Sequence, residues 1–167
     1  GGGLGIPYFP GETRIELAAI AANLEPLLAE ARSRLPEAEI VMELGRYLVA
    51  EAGIYVCQVV DKKVSRGQTY LVVNGGLHHH LAASGNFGQV IRKNYPVGVG
   101  HRATSDQTEV VSVVGPLCTP LDILADKMAL SSANVGDLVV IFQSGAYGYS
   151  ASPHLFLSHP APREIFL

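Results

Sequence analysis

The chain has 167 residues, 48% of them hydrophobic, which suits one domain of ordinary size, or one and a fraction, with a real core, and excludes a disordered tail. Twelve Lys and Arg against fifteen Asp and Glu leave a formal charge of -3, without the basic excess that neutralises a phosphate backbone, so a nucleic-acid partner is not expected. No apolar run reaches the roughly 18 to 20 residues that span a bilayer, and two cysteines far apart, Cys57 and Cys118, read as free thiols of a reducing, cytoplasmic compartment.

The opening Gly1-Gly2-Gly3-Leu4-Gly5 has neither an initiator Met nor the regions of a signal peptide, and the expectation is a fragment of a longer chain. Such a run is useful after a strand, where bare backbone N–H groups can approach an anion. Thr13-Arg14-Ile15-Glu16 has capping-box spacing and predicts a helix start. From Ile20 the apolar positions Leu24, Leu27, Leu28, Ala31 and Leu35 form one helical stripe that Pro36 stops, and Pro26 within it predicts a kink or a restart. Ala38 to Glu43 reads as a short parallel strand buried on both faces, which completes a β/α unit.

After Gly53 the pattern turns to β. Ile54 to Val60 and Thr69 to Val73 are β-branched runs joined by a polar turn, a hairpin. Further strands are expected at Val97 to His101, Glu109 to Val114, Leu138 to Phe142 and Glu164 to Leu167, with one short helix over Pro120 to Met128. The change of pattern near Ala50 to Gly53 is the one boundary the sequence supports, dividing residues 1–52 from 53–167.

Several residues could carry chemistry. Glu43-Leu44-Gly45-Arg46 ends a buried strand, the edge where β/α folds place active sites, and it offers a carboxylate and a guanidinium that could hold a cation and an anion, or simply pair with each other. Cys118, in Gly115-Pro116-Leu117-Cys118-Thr119-Pro120, is a possible nucleophile or proton donor, or a small buried hydrophobe. Tyr147, flanked by glycines, could hydrogen-bond a ligand or pack. Of the run His78-His79-His80, only His78 and His80 would share one face of a strand, no Cys or acid stands nearby, and a polar pocket wall fits better than a metal site.

In this order, GGGLG, ELGRYLV, VNGGLHHH, GPLCTPLD and GDLVVIFQSGAYG resemble the fold-type III pyridoxal-phosphate decarboxylases, the ornithine and diaminopimelate decarboxylase superfamily, along the whole chain. The resemblance implies the C-terminal end of an α/β (TIM) barrel in residues 1–52, followed by a Greek-key-like β-barrel domain in 53–167. It also implies a homodimer with shared active sites and pyridoxal 5'-phosphate as cofactor. A complete α/β barrel takes roughly 250 residues, so the missing part, with the lysine that forms the Schiff base, would lie upstream; Lys62, Lys63, Lys93 and Lys127 do not match its context.

Carried over by position, Gly1, Gly2 and Gly3 match the phosphate-binding glycine loop, Gly45 and Arg46 a second loop at that phosphate, and Tyr147 a tyrosine on the same group. Glu43 matches the carboxylate at the pyridinium nitrogen, and Cys118 the cysteine donated across the dimer to protonate the carbanion. Leu44 departs from the family's usual proline. Thr119 stands where diamine-forming and diaminopimelate members carry Asp or Glu, and Gly75 where diamine-forming members carry an acidic residue, so a substrate with a distal ammonium group is disfavoured; Thr119 and His78 are the candidate substrate contacts. The forms CTPLD, GGLHHHLAASGNFGQVIRKNYP and SASPHLFLSHPAP look most like a bacterial subgroup associated with exopolysaccharide and exosortase clusters, similar to relatives that decarboxylate an aminoacyl group on a carrier protein. Decarboxylation of an amino acid is the leading expectation. A racemase on the same scaffold and a non-catalytic binding relative are the alternatives, with no membrane partner and no metal in any of them.

Overall fold

In the computed structural model, residues 2–100 and 107–167 are described. Gly1 and His101, to which two of the expectations extend, lie outside them. The β-branched runs form the predicted hairpin, β1 (Tyr55–Ser65) and β2 (Gln68–Val73), paired antiparallel. The hairpin is longer than its apolar core. Asp61 to Ser65 stay in the strand because the turn needs only Arg66 and Gly67, both at positive φ (52° and 78°), the backbone of a tight two-residue hairpin loop.

The remaining strands are β3 (Val97–Val99), β4 (Thr108–Val114), β5 (Ile123–Ser131) and β6 (Leu138–Ile141). They join one mixed sheet in the order β3-β6-β1-β2-β4-β5, in which β2 and β4 run parallel and the other pairs antiparallel. The two ends of that order, β3 and β5, pack against each other, which nearly closes the sheet into a barrel. β1 serves two neighbours, its first residues (Tyr55 to Gln58) pairing with β6 and its later ones with β2. Inside sit Cys57, Val59, Leu71, Val73, Val111, Val113, Leu124, Val139 and Ile141, all buried.

Three of the expected elements are corrected. Pro120 to Met128 is no helix; Ile123–Ser131 is strand β5, although Leu, Ala, Lys and Met favour a helix. Pairing with β4 and burial of Leu124, Ala125 and Leu130 override that propensity. Its register shifts where Ser112 Oγ accepts the Lys127 N–H (3.0 Å) and donates to Asp126 Oδ1 (3.0 Å), with Lys127 at φ 47°. Neither 38–43 nor 164–167 is a strand: no strand among the described residues pairs with them, and Ile40, Val41, Met42, Ile165, Phe166 and Leu167 are exposed.

The first helix, α1 (Leu17–Arg34), starts four residues after Thr13, and its N-cap residue Glu16 makes no side-chain cap. The capping box does not form, because the preceding segment is tied elsewhere: Glu12 Oε2 accepts the Tyr8 N–H (2.9 Å) and Arg14 donates to Glu51 (2.8 Å). α1 passes Pro26 without restarting and buries none of its residues. A five-residue helix, α2 (Gly45–Val49), and a 3-10 turn (Ala50–Ala52) lead into β1. No helix among the described residues is long and apolar enough to cross a membrane.

Candidate functional site

The segment from Leu44 to Gly53 lies against the loop that follows β6. Ser144 N–H donates to Gly53 O (2.8 Å) and Gly145 N–H to Ala50 O (3.0 Å). A Cβ on Gly53 would stand 2.6 Å from Gly145 Cα, so both positions must be glycine for the two backbones to meet. That contact sets Tyr147 (φ 60°) over α2: its ring centroid is 5.1 Å from Arg46 Cζ, and the same guanidinium lies 5.4 Å from the centroid of Tyr8. A Cβ on Gly45 would come within 3.7 Å of Tyr147 Oη, and one on Gly2 would run into the Glu43 carbonyl and within 2.8 Å of Leu44 Cδ2. Gly3 holds φ 79°. Gly2, Glu43, Gly45, Arg46 and Tyr147 are therefore brought together, although the glycine run and the tyrosine are more than a hundred residues apart.

The cluster is a guanidinium and a phenol hydroxyl beside bare glycine backbone, the donor set that an anion needs. Tyr8 was not legible as part of it. A cavity of about 650 Å3 adjoins it, bordered by Tyr55, His79, Tyr147, Tyr149, Arg163 and Phe166.

The three histidines are not in a strand. Gly76 to His80 form a tight turn in which the His79 and His80 amides both donate to Gly76 O (2.9 and 3.0 Å), and each ring goes its own way. His79 Nε2 faces Pro160 O at 2.7 Å, and a carbonyl can only accept, so that nitrogen carries the hydrogen and Nδ1 accepts from Tyr55 Oη (3.0 Å). His80 Nδ1 accepts the Ala83 N–H (3.1 Å), leaving Nε2–H to donate to Ser144 Oγ (2.9 Å). His78 is wholly buried with neither ring nitrogen bonded, its centroid 3.9 Å from that of His79. Burial holds all three rings below the usual imidazole range, with His78 and His80 at about 4. No group of three or more His, Cys, Asp or Glu able to hold a metal is found among the described residues.

The turn also settles what position 75 can carry. A Cβ on Gly75 would collide with Tyr55 Oη and stand 2.8 Å from His79 Nδ1, so no acidic side chain fits there. Cys118 and Thr119 lie on another loop, between β4 and β5. Cys118 is exposed, whereas Cys57 is buried and its thiol pushed up to about 12 by burial. Thr119 Oγ1 is turned back to accept the Leu121 N–H (3.3 Å). Neither residue borders the cavity beside Tyr147, so within one chain the structure does not unite this loop with the Arg46 cluster. It ties the loop instead to the histidine turn through Asp122, a residue that its place in the sequence gave no reason to single out.

Comparison with known proteins supplies the context. The family model described as the pyridoxal-dependent decarboxylase C-terminal sheet domain matches residues 41–145. The chain is 42% identical to the L-glutamyl-[BtrI acyl-carrier protein] decarboxylase of Niallia circulans, over 99% of this chain and 39% of that protein. It is 34% identical to the diaminopimelate decarboxylase of Synechocystis sp., over 96% of this chain and 34% of that one. The crystal structure of diaminopimelate decarboxylase from M. jannaschii in complex with L-lysine superposes with a TM-score of 0.81 at 25% identity, covering 97% of this chain and 36% of that one. The chain thus spans less than half the length of these relatives.

Proposed function

Because the chain belongs to the pyridoxal-dependent decarboxylases, through their C-terminal sheet domain, we propose that the protein carrying it removes CO2 from an α-amino acid with pyridoxal 5'-phosphate as cofactor. Residues 1–52 are then the end of the cofactor-binding α/β barrel and 53–167 the β domain, in a cytoplasmic homodimer whose subunits share their sites. The single observation that carries the reading is the meeting of Arg46, Gly45 and Tyr147 beside Gly2 and Glu43. These residues fit a phosphorylated ring cofactor: two glycines stay bare where a Cβ would strike Leu44 or approach Tyr147, and a guanidinium and a phenol stand beside them.

The bound cofactor supplies an electron sink for the pair left behind when CO2 departs. Arg46, the Tyr147 hydroxyl and the backbone N–H groups of Gly2, Gly3 and Gly45 would hold its phosphate. The Glu43 carboxylate keeps a proton on its ring nitrogen. Cys118, reaching the partner's site across the dimer, returns a proton to the substrate carbon. Thr119, beside Cys118, stands toward the substrate and offers no carboxylate, whereas His78, wholly buried in its turn, backs that region without touching the substrate.

That absence, with Gly75 kept bare by the Tyr55 and His79 side chains, favours a substrate without a distal ammonium group, and an aminoacyl group on a carrier protein fits. The relative from Niallia circulans, which bears that activity in its name, is consistent with it. So is the likeness of CTPLD and SASPHLFLSHPAP to the exopolysaccharide- and exosortase-associated subgroup.

In the intact protein, Arg46→Ala and Tyr147→Phe each remove a hydrogen bond to an anion worth about 1.5 to 3 kcal/mol, so cofactor affinity should fall by roughly 10- to 150-fold. Unchanged affinity in both variants, read from cofactor absorbance after dialysis, would overturn the site. Carbon dioxide release from aminoacyl carrier protein should exceed that from free ornithine, lysine or diaminopimelate; the reverse order would overturn the substrate reading.

A further inference from the structure

Asp122 takes no part in the cofactor and substrate assignments above, yet it is 3% exposed and both carboxylate oxygens are committed. Oδ1 accepts the Leu77 N–H at 2.6 Å and Oδ2 accepts the Leu117 N–H at 2.9 Å, so one side chain spans two loops. Its backbone closes the second loop as well, with Gly115 N–H donating to Asp122 O (3.0 Å) and Asp122 N–H to Thr119 O (3.2 Å). Two glycines make room for it. A Cβ on Gly76 would stand 2.6 Å from Oδ2, and one on Gly115 would stand 2.5 Å from Cγ.

We propose that Asp122 is a positioning residue: by holding the Leu77 and Leu117 amides it locks the loop that carries Cys118 and Thr119 against the turn that carries His78. The proposal rests on the role given to Cys118 above for its effect on chemistry, while the lock itself stands on the geometry alone.

The chemistry of the group agrees with this. Burial pushes the Asp122 carboxyl above its ordinary value, the two amides only partly offsetting it, and the ionisable groups acting on it are the His79 and His159 rings rather than a Lys or Arg. A buried anion without a cation costs stability, so this carboxylate is a poor device for stability alone. What two charge-assisted bonds to backbone supply is fixed geometry, because amide positions do not change with rotamer. Besides Asp122, the loop is anchored by the buried Leu117 and by Asn86 Nδ2 donating to Leu121 O (3.1 Å), while Cys118 is exposed and Pro120 cannot donate.

The test uses the intact, cofactor-loaded protein and the variant Asp122→Asn, whose amide sets an N–H donor against one of the two loop amides. Hydrogen–deuterium exchange followed by mass spectrometry should show faster exchange in peptides covering 75–80 and 115–121 together, with the peptide covering β6 unchanged. Acceleration in only one of the two loops, or in neither, overturns the lock. If Asp122→Asn does not fold, Gly76→Ala and Gly115→Ala push on the same carboxylate and should give the same paired pattern; its absence in both overturns the lock equally.

Turnover then separates this proposal from the reading beneath it. With cofactor retention preserved, kcat of Asp122→Asn should fall by up to about a hundredfold, the scale of a proton donor misplaced by an ångström. A larger share of turnovers should end in abortive transamination, as in Cys118→Ala, and the double variant should be no worse than Cys118→Ala. A merely structural role would lower cofactor retention without moving the product ratio, and that result overturns the positioning role. If Cys118→Ala alone leaves turnover and product ratio unchanged, the reading of Cys118 falls while the exchange result still decides the lock.

Discussion

Lowering the pH should destabilise the β domain through its buried histidines, and His80 is the ring whose bonds show why. It is 1% exposed, its Nδ1 accepts the Ala83 N–H, and its Nε2–H donates to Ser144 Oγ, which passes a bond on to Ile141 O (2.9 Å). A second proton has only Nδ1 to go to, where it would point at another N–H. Burial holds the ring at about 4 against an ordinary 6.5, and at about 1.4 kcal/mol per tenfold change in proton concentration, roughly 3 kcal/mol of folding stability depends on keeping it neutral. The native ring binds its proton less tightly than the unfolded one. Stability from this group is therefore complete above about pH 6.5, falls as the pH is lowered towards about 4, and is flat below that. Histidine labelled with 15N in the intact protein reports both the titration and the tautomer, and thermal melting across that range reports the stability. A His80 ring that titrates near 6.5, or one protonated at Nδ1 at neutral pH, would refute the argument.

Two further outcomes follow from close packing and thiol burial. Gly75→Ala places a methyl group into Tyr55 Oη and breaks its bond to His79, and such overpacking costs about 1 to 3 kcal/mol; Tyr55→Phe in the same chain should recover part of the lost melting temperature, and no recovery would mean that another contact sets the cost. Native protein treated with a small alkylating reagent should modify Cys118 and spare Cys57, whose buried thiol is pushed up to about 12; mass spectrometry finding Cys57 labelled at a comparable rate would contradict the burial.

The strands that the sequence predicts well are those whose local chemistry and tertiary environment agree. Tyr55–Ser65, Thr108–Val114 and Leu138–Ile141 are rich in β-branched residues and are strands. β5 was illegible because Leu, Ala, Lys and Met favour a helix, and only its partner β4 makes it a strand. The apolar residues 38–43 read as a strand because periodicity cannot supply a pairing neighbour, and none is present among the described residues. At the site, the glycines, Arg46 and Tyr147 were visible as local patterns at segment ends, and resemblance added the phosphate as the group they would share. Asp122, Tyr8 and Tyr55 were not visible, since a single polar residue carries no local mark of being buried between loops distant in sequence. The histidine run misled for a related reason: a side-chain period of two applies only within a strand, and Gly76 accepting two amides makes a turn.

The contact between Gly53 and Gly145 has a consequence for how an anion is gripped. Arg46 and Tyr147 are separated by a hundred residues of chain and by the whole sheet, an arrangement that would ordinarily let each wait in its own conformation until a ligand drew them together. Here two short backbone hydrogen bonds and a glycine-on-glycine contact weld their supporting segments before anything binds. The ordering entropy is spent during folding, and the binding free energy of the anion is left largely intact. A bulkier residue at either glycine would turn a rigid grip into two separate arms, and its first symptom would be slow, weak capture of the anion in a protein that still melts as one unit.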